Sequence, residues 1–115
     1  MVGISQNPYH ISAPRKNPYH LNPCHMYRAD LRQADMSRSL MNGANLRGAN
    51  LREANLSNSD MDRAVLSDAN LTGADLSNAN LSRVNLAGAN LTNANLTGAV
   101  LHRAQLTHAN LSGAI

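Results

Sequence analysis

Large aromatic side chains are almost missing from this sequence. Its 115 residues contain no Phe and no Trp, and its three aromatic residues are Tyr9, Tyr19 and Tyr27. Aromatic side chains supply much of the buried area in most compact domains. Without them, Leu, Met and Ala would have to fill the core of a single domain of this length. This disfavours an ordinary globular core and favours a repeat architecture, in which each unit packs only on its neighbours.

Cysteine, signal-peptide features and long apolar runs are also scarce or missing. Cys24 is the single cysteine, so the sequence allows no internal disulfide, which fits a reducing compartment. The first six residues, MVGISQ, contain neither a basic segment nor an apolar core like those of a signal peptide. No stretch reaches the roughly 18 apolar residues of a membrane-spanning helix. These absences predict a cytoplasmic protein that does not contact the membrane.

Charge of one sign is not in large excess either. Ten Lys and Arg against seven Asp and Glu give a formal net charge of +3. Arg15 and Lys16 are the charged residues of segment 1–23, and from residue 24 onward eight Arg face seven acidic residues. A nucleic-acid-binding face shows a basic cluster instead, so this balance makes nucleic acid an unlikely partner.

What the sequence does contain is a five-residue repeat. Eighteen positions spaced by five residues from 26 to 111, here called the centre positions, are all Leu or Met. The nineteen positions that lie two residues before a centre, from 24 to 114, are all small: fifteen are Ala, and the others are Cys24, Ser39, Ser59 and Val84. The residue before a centre is usually Asn or Asp. The first residue after the centre is often Ser or Thr, and the second residue after the centre is often Gly, Asn or Arg.

Regular helices and strands do not explain this spacing. A step of five residues turns by about 140° around an α-helix, and it alternates between the two faces of a strand. We therefore predict a chain that turns a corner every five residues, with the centre and small positions inward and their polar neighbours outward. Gly and Asn at the second position after the centre suit a corner that requires a positive φ.

The runs at 44–48 (ANLRG) and 74–78 (ADLSN) resemble the A(N/D)LXX motif of the pentapeptide-repeat family, and the resemblance extends over 24–115. It implies an all-β fold, a right-handed quadrilateral β-helix with four pentapeptides per coil, or about 4.6 coils in this chain. Residues 20 apart would then stack on one another. The sequence itself supports this longer period through Met41 and Met61, and through Ser39 and Ser59.

The two ends of the repeat differ. Residues 7–10 and 17–20 read NPYH, and residues 22–25 read NPCH. Because proline has no N–H and stops strand pairing, we predict that residues 1–23 are a lead-in that caps the solenoid of residues 24–115. At the other end the repeat continues without a cap through Leu111, Ala114 and Ile115. We predict either that this end is an interface between two copies of the chain or that the chain is cut from a longer protein.

Four residues near the start of the repeat are candidate metal ligands: His10, His20, Cys24 and His25. Imidazole and thiolate groups bind Zn²⁺ and Cu. Their spacing matches no zinc finger, and duplication of the NPYH unit accounts for them as cap residues. The interpretation that we favour is therefore structural, with no metal bound.

Three arginines form the second candidate site. Under a 20-residue stack, Arg63, Arg83 and Arg103 form a column on one face, here called the arginine column, which could bind phosphate or a partner's carboxylates. The alternative, which we favour, is an ordinary solvated surface that nearby acids neutralise. These acids are Asp60, Asp62 and Asp68. A further column, of Asn50, Asn70, Asn90 and Asn110, is predicted to form amide hydrogen bonds from coil to coil.

Residues for catalysis are not arranged as in a known type of active site. Ser and Thr stand at repeat positions without a neighbouring base, His102 and His108 are isolated, and no Gly-rich phosphate loop precedes a helix. A rod that Leu and Ala fill also leaves no cavity for a substrate. We therefore expect no enzymatic activity and no cofactor.

The function that we favour is a non-enzymatic structural or protein-interaction module of a bacterial cytoplasm, whose flat faces bind a protein partner. Two alternatives remain open. Some members of the pentapeptide-repeat family mimic duplex DNA, bind gyrase and protect it from quinolones, but this mimicry needs a strongly negative surface and a longer rod. The other alternative is weak binding of nucleic acid or anions through the arginine column. Such binding would be weak because the repeat faces have no aromatic residues to stack on single strands.

Overall fold

A computed structural model describes residues 26–115, and within this range the backbone repeats one five-residue unit. In each unit the two residues after the centre form a turn, and the residue before the next centre forms a β-bridge. These bridges are isolated residues and do not extend into longer strands. The described range contains no helix that could cross a membrane. The predicted cap at 1–23 and the candidate metal ligands His10, His20, Cys24 and His25 lie outside the described residues.

The bridges set a second period of 20 residues. Thirteen parallel bridges each join a residue to the one 20 positions later, from Asp30 with Asn50 to Asn90 with Asn110. The chain therefore returns to the same side after four pentapeptides, and we call 20 consecutive residues a coil. The stacking of residues 20 apart is confirmed in residues 26–115.

Backbone hydrogen bonding explains why five residues form one unit. The centre residue and the second turn residue donate to carbonyls of the following coil, and the bridge residue donates to a carbonyl of the preceding coil. The small residue closes the turn by donating to the centre carbonyl, and the first turn residue donates to the side chain of the bridge residue before it. In the unit 71–75 these N–H groups bond as follows: Leu71 to Asn90 O at 2.6 Å, Gly73 to Thr92 O at 2.8 Å, Asp75 to Ala54 O at 2.9 Å, Ala74 to Leu71 O at 3.0 Å and Thr72 to Asn70 Oδ1 at 3.1 Å. All five donors of this unit are thus satisfied, as a folded backbone requires.

Every corner requires an unusual backbone conformation. The second turn residue has a positive φ, between 56° and 74°, in all eighteen turns. A type II turn has a positive φ at this place, which confirms the predicted role of Gly and Asn. Gly occupies six of these positions, and twelve carry side chains, of which five are arginines. The arginine column lies at such corners, and its backbone conformation costs each residue about 1 kcal/mol relative to glycine.

The centre and small columns form the interior, as the spacing predicted. Twenty-six apolar residues from Met26 to Ala94 are at most 3% exposed. Full burial of a Leu or Met side chain contributes roughly 1.5–3 kcal/mol, so these columns are the main source of stability. Ser39 and Ser59 stand in small positions, and their hydroxyls donate to the Met36 and Leu56 carbonyls at 2.7 and 2.6 Å. Among the described residues no buried side-chain nitrogen or oxygen lacks a hydrogen bond.

The last coil, residues 96–115, is less covered than the coils before it. Leu96, Leu101 and Leu106 pack against the core but are only partly buried, whereas Leu111 is 41% exposed. No following coil is stacked on these residues in the described part of the chain. Exposure therefore rises toward this end although the sequence pattern does not change.

Candidate interaction surface

The arginine column occupies one corner of the stack. Arg63, Arg83 and Arg103 take the same turn position in three successive coils, and all three are exposed. The structure thus brings together the residues that the sequence predicted to stack. Their role as an interaction face stays a prediction.

Acidic neighbours neutralise only part of this column. Arg83 Nε and Nη2 donate to the two carboxylate oxygens of Asp62 at 3.2 and 3.1 Å, which is a bidentate pair. Asp68 lies 3.7 Å from the guanidinium of Arg47 instead. Within residues 26–115, Arg63 and Arg103 make no ion pair. Two of the three guanidinium groups are therefore open to a ligand.

Asp60, the third predicted neutralising acid, has other contacts. Its Oδ1 accepts hydrogen bonds from Asn80 Nδ2 at 3.2 Å and from the Asp62 N–H at 3.3 Å. Asp60 therefore joins two coils and holds its own turn, and it does not pair with an arginine in the described structure. Of the three predicted acids, only Asp62 pairs with the arginine column.

The Asn and Asp residues before the centres hold the turns, and we call their places cap positions. Thirteen of the seventeen cap positions from 30 to 110 hold Asn or Asp, and Oδ1 of each accepts the backbone N–H two residues later at 2.9–3.3 Å. In six of them the following Ser or Thr hydroxyl also donates to Oδ1, at 2.5–2.8 Å. This contact explains the order Asn or Asp, centre, Ser or Thr in the repeat.

The prediction of coil-to-coil amide bonds is wrong for the asparagine column. In the described structure the side-chain oxygens of Asn50, Asn70, Asn90 and Asn110 accept backbone N–H groups of their own coil. The physical reason is that the N–H of the first turn residue makes no backbone hydrogen bond in the described structure and needs an acceptor, which the side-chain oxygen two residues earlier provides.

Four cap positions break this rule: Leu40, Val65, Val100 and Gln105. In the described structure no side chain caps the N–H groups two residues after them, on Asn42, Ser67, His102 and Thr107. The departures are visible in the sequence as interruptions of the Asn or Asp pattern. Their relation to one another depends on the 20-residue stack, so it is not visible in the linear sequence.

The four exceptions are confined to two of the four sides of the stack. One of these sides holds cap positions 40, 60, 80 and 100, each three residues before the corner where the arginine column lies. The other side holds cap positions 45, 65, 85 and 105, each two residues after that corner. The arginine column is thus the corner between these two sides, which we call the irregular faces. On the other two sides, the regular faces, all nine cap positions hold Asn or Asp: 30, 50, 70, 90 and 110, and 35, 55, 75 and 95.

Two polar pairs lie on or beside the regular faces. Arg32 Nη2 and Nε donate to the carboxylate of Asp30 at 2.7 and 2.8 Å, and this hydrogen bonding lowers the pKa of Asp30. Gln33 Nε2 donates to Glu53 Oε1 across the coil interface at 3.2 Å. Arg52, on the same side as Arg32, makes no ion pair among residues 26–115, so the two kinds of face differ in capping and not in charge pairing.

The predicted end interface lies on the exposed last coil. Leu111 and Ile115 are 41% and 78% exposed, and Ala114 is partly buried. These residues are accessible in the chain as described, and their role in self-association stays a prediction.

Metal ligands do not cluster in the described part of the chain. Residues 26–115 contain no group of three or more His, Cys, Asp or Glu side chains placed to hold a metal ion. His102 and His108 are exposed at two different turns of the last coil.

Comparison with known proteins identifies the repeat. The family model described as pentapeptide repeats matches residues 24–63, 49–86 and 79–115, with eight copies. No curated protein sequence matches the chain.

Several solved structures are similar to the chain. HetL, a pentapeptide repeat protein involved in heterocyst differentiation regulation in the cyanobacterium Nostoc sp. strain PCC 7120, is 39% identical, with a TM-score of 0.45 over 84% of this chain. This chain spans 48% of the length of HetL. A pentapeptide repeat protein of the Arabidopsis thaliana thylakoid lumen is 31% identical over 85% of this chain and 70% of its own, with a TM-score of 0.45. QnrB1, a plasmid-mediated fluoroquinolone resistance protein, is 23% identical over 74% of this chain and 59% of its own, with a TM-score of 0.34.

Proposed function

Since this chain belongs to the pentapeptide-repeat family, we propose that it is a cytoplasmic, non-enzymatic module that binds a protein partner through its outer faces. The observation that carries this proposal is the filled interior, where the centre and small columns from Met26 to Ala94 are at most 3% exposed. Polar and charged side chains are confined to the outside, apart from Ser39 and Ser59, at fixed positions of a repeated backbone. Such a scaffold holds many side chains in register but offers no enclosed site for a substrate.

For the fold we propose the right-handed quadrilateral β-helix of the family. Support comes from the family match and from the pairing of residues 20 apart, which corresponds to four pentapeptides per coil. A β-helix of this kind has a rigid surface, because hydrogen bonds to neighbouring coils repeat along every side. Binding by a rigid surface costs little conformational entropy.

Site-specific photo-crosslinking in the native host tests the proposal. A photoreactive amino acid is placed singly at an exposed turn residue on each of the four sides: Arg52, Thr97, His102 and Thr107. We expect crosslinks to one protein from one side or from two adjacent sides, and no crosslink to it from the others. Absence of a crosslinked protein from all four positions would contradict the proposal.

The DNA-mimic alternative finds no support in the charge of the described surface. Eight arginines face seven acids in residues 26–115, whereas a mimic of duplex DNA needs a strongly negative surface. We expect the protein to leave gyrase supercoiling unchanged at excess concentration. Inhibition or quinolone protection in that assay would restore the alternative.

Self-association through the last coil is a separate proposal. It rests on the exposed apolar residues Leu111 and Ile115. We expect light scattering to give the mass of a dimer, and we expect the variant Ile115→Asp to give the mass of a monomer. The control variant Thr97→Asp, on an outer face, should leave the mass unchanged, and a monomeric parent protein would contradict the proposal.

A further inference from the structure

We propose that the corner formed by Arg63, Arg83 and Arg103, together with the irregular faces beside it, is the docking surface for an extended acidic peptide segment that also carries apolar side chains. This inference rests on the proposed function and makes it specific. It assigns one side of the scaffold to the partner and states the partner's chemistry.

Turns beside the arginine column lack side-chain caps. Asn or Asp would give Ser67 and His102 a hydrogen-bond acceptor for their N–H groups, yet Val65 and Val100 stand before them. Val100 is 50% exposed and Leu40 is 37% exposed, so packing in the interior does not explain the apolar residues. Positions where a sequence departs from the local rule without a compensating contact are where function is expected.

The uncapped turns lie close to one another on the stack. All four exceptions lie on the two sides that meet at the arginine column, where four of eight cap positions are irregular. From 30 to 110 all nine cap positions of the regular faces keep Asn or Asp, and Ile115, the next residue of this series, is an apolar exception on a regular face. The uncapped turns therefore adjoin the arginine column on both of its sides. Their confinement to one corner indicates a single continuous surface.

The charge of that surface favours an acidic ligand. Arg63 and Arg103 have no acidic partner among the described residues, and the pair between Arg83 and Asp62 lies between them. With coils about 4.8 Å apart, Arg63 and Arg103 stand about 10 Å apart along the axis. An extended peptide advances about 3.3 Å per residue and its side chains alternate between two faces, so carboxylates two or four residues apart, about 7 or 13 Å, share a face and bracket the spacing of the two guanidinium groups.

Apolar residues beside the arginines complete the surface. Val100 precedes Arg103 by three residues, and Val65 follows Arg63 by two. Protein interfaces are enriched in arginine, and their centres exclude water with apolar side chains. Nucleic acid fits less well, because no aromatic residue among residues 26–115 stands beside Arg63, Arg83 or Arg103 to stack on a base.

A selection from a random library of displayed linear peptides, with the full-length protein as target, tests the docking surface. Enriched peptides are then synthesised, and their affinities are measured for the parent protein, for Arg103→Glu and for Arg52→Glu. Arg52 is the matched control, because it is exposed on a regular face and has no ion pair in the described structure. We expect peptides that combine Asp or Glu with aliphatic residues, and a loss of affinity of about tenfold or more in Arg103→Glu alone.

Two results would overturn the inference in distinguishable ways. Enriched peptides that bind Arg103→Glu as tightly as the parent, or that carry no acidic residues, would refute this docking surface and leave the interaction module standing. If no peptide is enriched and the photo-crosslinks are absent from all four sides, the proposed function fails together with the surface.

The variant Val100→Asn gives a second measurement that does not depend on charge. It provides an acceptor for the His102 N–H and removes an apolar contact from the surface. We expect its melting temperature to rise while its affinity for the selected peptides falls several-fold. Unchanged peptide affinity in a folded Val100→Asn protein would show that the apolar flank takes no part in docking.

Discussion

The regular and irregular faces of this protein share one backbone but differ in what their side chains do. Both have a positive φ at every corner and the same hydrogen bonds between coils. On the regular faces every cap position holds an Asn or Asp that bonds to the turn, whereas on the irregular faces half of these bonds are missing. Coil stacking therefore does not require the caps. The comparison therefore separates two groups of residues. The interior columns form the fold, whereas the cap residues stabilise single turns and can be replaced by residues that serve binding.

The interior is common to all four sides, and the largest effects are expected there. Ala79 and Ala69 are buried small residues below an irregular and a regular face. A leucine at either place overfills the interior, so Ala79→Leu and Ala69→Leu should each lose about 3 kcal/mol of unfolding free energy in urea denaturation. The two losses should be similar. If Ala79→Leu melted within a degree of the parent protein, the small column would not be interior.

A cap on a regular face should matter less than the interior, but measurably. Oδ1 of Asn70 accepts both the N–H and the hydroxyl of Thr72, at 3.1 and 2.7 Å. Asn70→Val removes both bonds and should cost about 1–2 kcal/mol in the same denaturation assay. Asn70→Asp, which keeps an acceptor, serves as the control and should lose little. Equal stability of Asn70→Val and the parent would show that caps do not stabilise the regular faces.

The reverse exchange on an irregular face should increase stability. Val65→Asn provides an acceptor for the Ser67 N–H, which no side chain caps in the described structure. We expect a gain of about 0.5–1 kcal/mol, since a typical net hydrogen bond contributes about that much. Urea denaturation of Val65→Asn beside Asn70→Val measures both directions of the exchange. A loss of stability in Val65→Asn would contradict the equivalence of the two kinds of face.

The smallest effect is expected at the arginine column itself. Arg83 pairs with Asp62, and 44% of the Arg83 side chain is exposed. Exposed ion pairs contribute at most about 1 kcal/mol and weaken with salt, so Arg83→Gln should lose about 0.5 kcal/mol at low salt and less in 1 M NaCl. Arg63→Gln, at an unpaired position of the same column, should change stability less. A larger loss in Arg63→Gln would mean that the column stabilises the fold by other contacts.

The sequence alone predicted the parts of this structure that depend on periodicity. Leu or Met at every fifth residue and Ala two residues before it identified both interior columns, because no other arrangement buries them together. The 20-residue period came mainly from the resemblance to a family, with Met41 and Met61 as support. The sequence therefore predicted the interior better than the surface.

The surface could not be predicted as well, because it depends on which donors the coil geometry leaves unsatisfied. The asparagine side chains cap turns, which follows only once the backbone bonds between coils are known. Arg83 pairs with a residue 21 positions earlier, one step away from the 20-residue stack, because its long side chain reaches across the coil interface. Turn preferences did not predict arginines at a positive φ, since Gly and Asn are the residues that favour that conformation.

One measurement tests most directly whether the irregular faces are less stable because their turn N–H groups lack side-chain caps. It is the unfolding free energy of the fourfold variant Leu40→Asn, Val65→Asn, Val100→Asn and Gln105→Asn, which places an asparagine at every irregular cap position. We predict a gain of about 2–4 kcal/mol over the parent protein, the sum of four separate turn bonds. An unfolding free energy equal to or below that of the parent would contradict this explanation of the irregular faces.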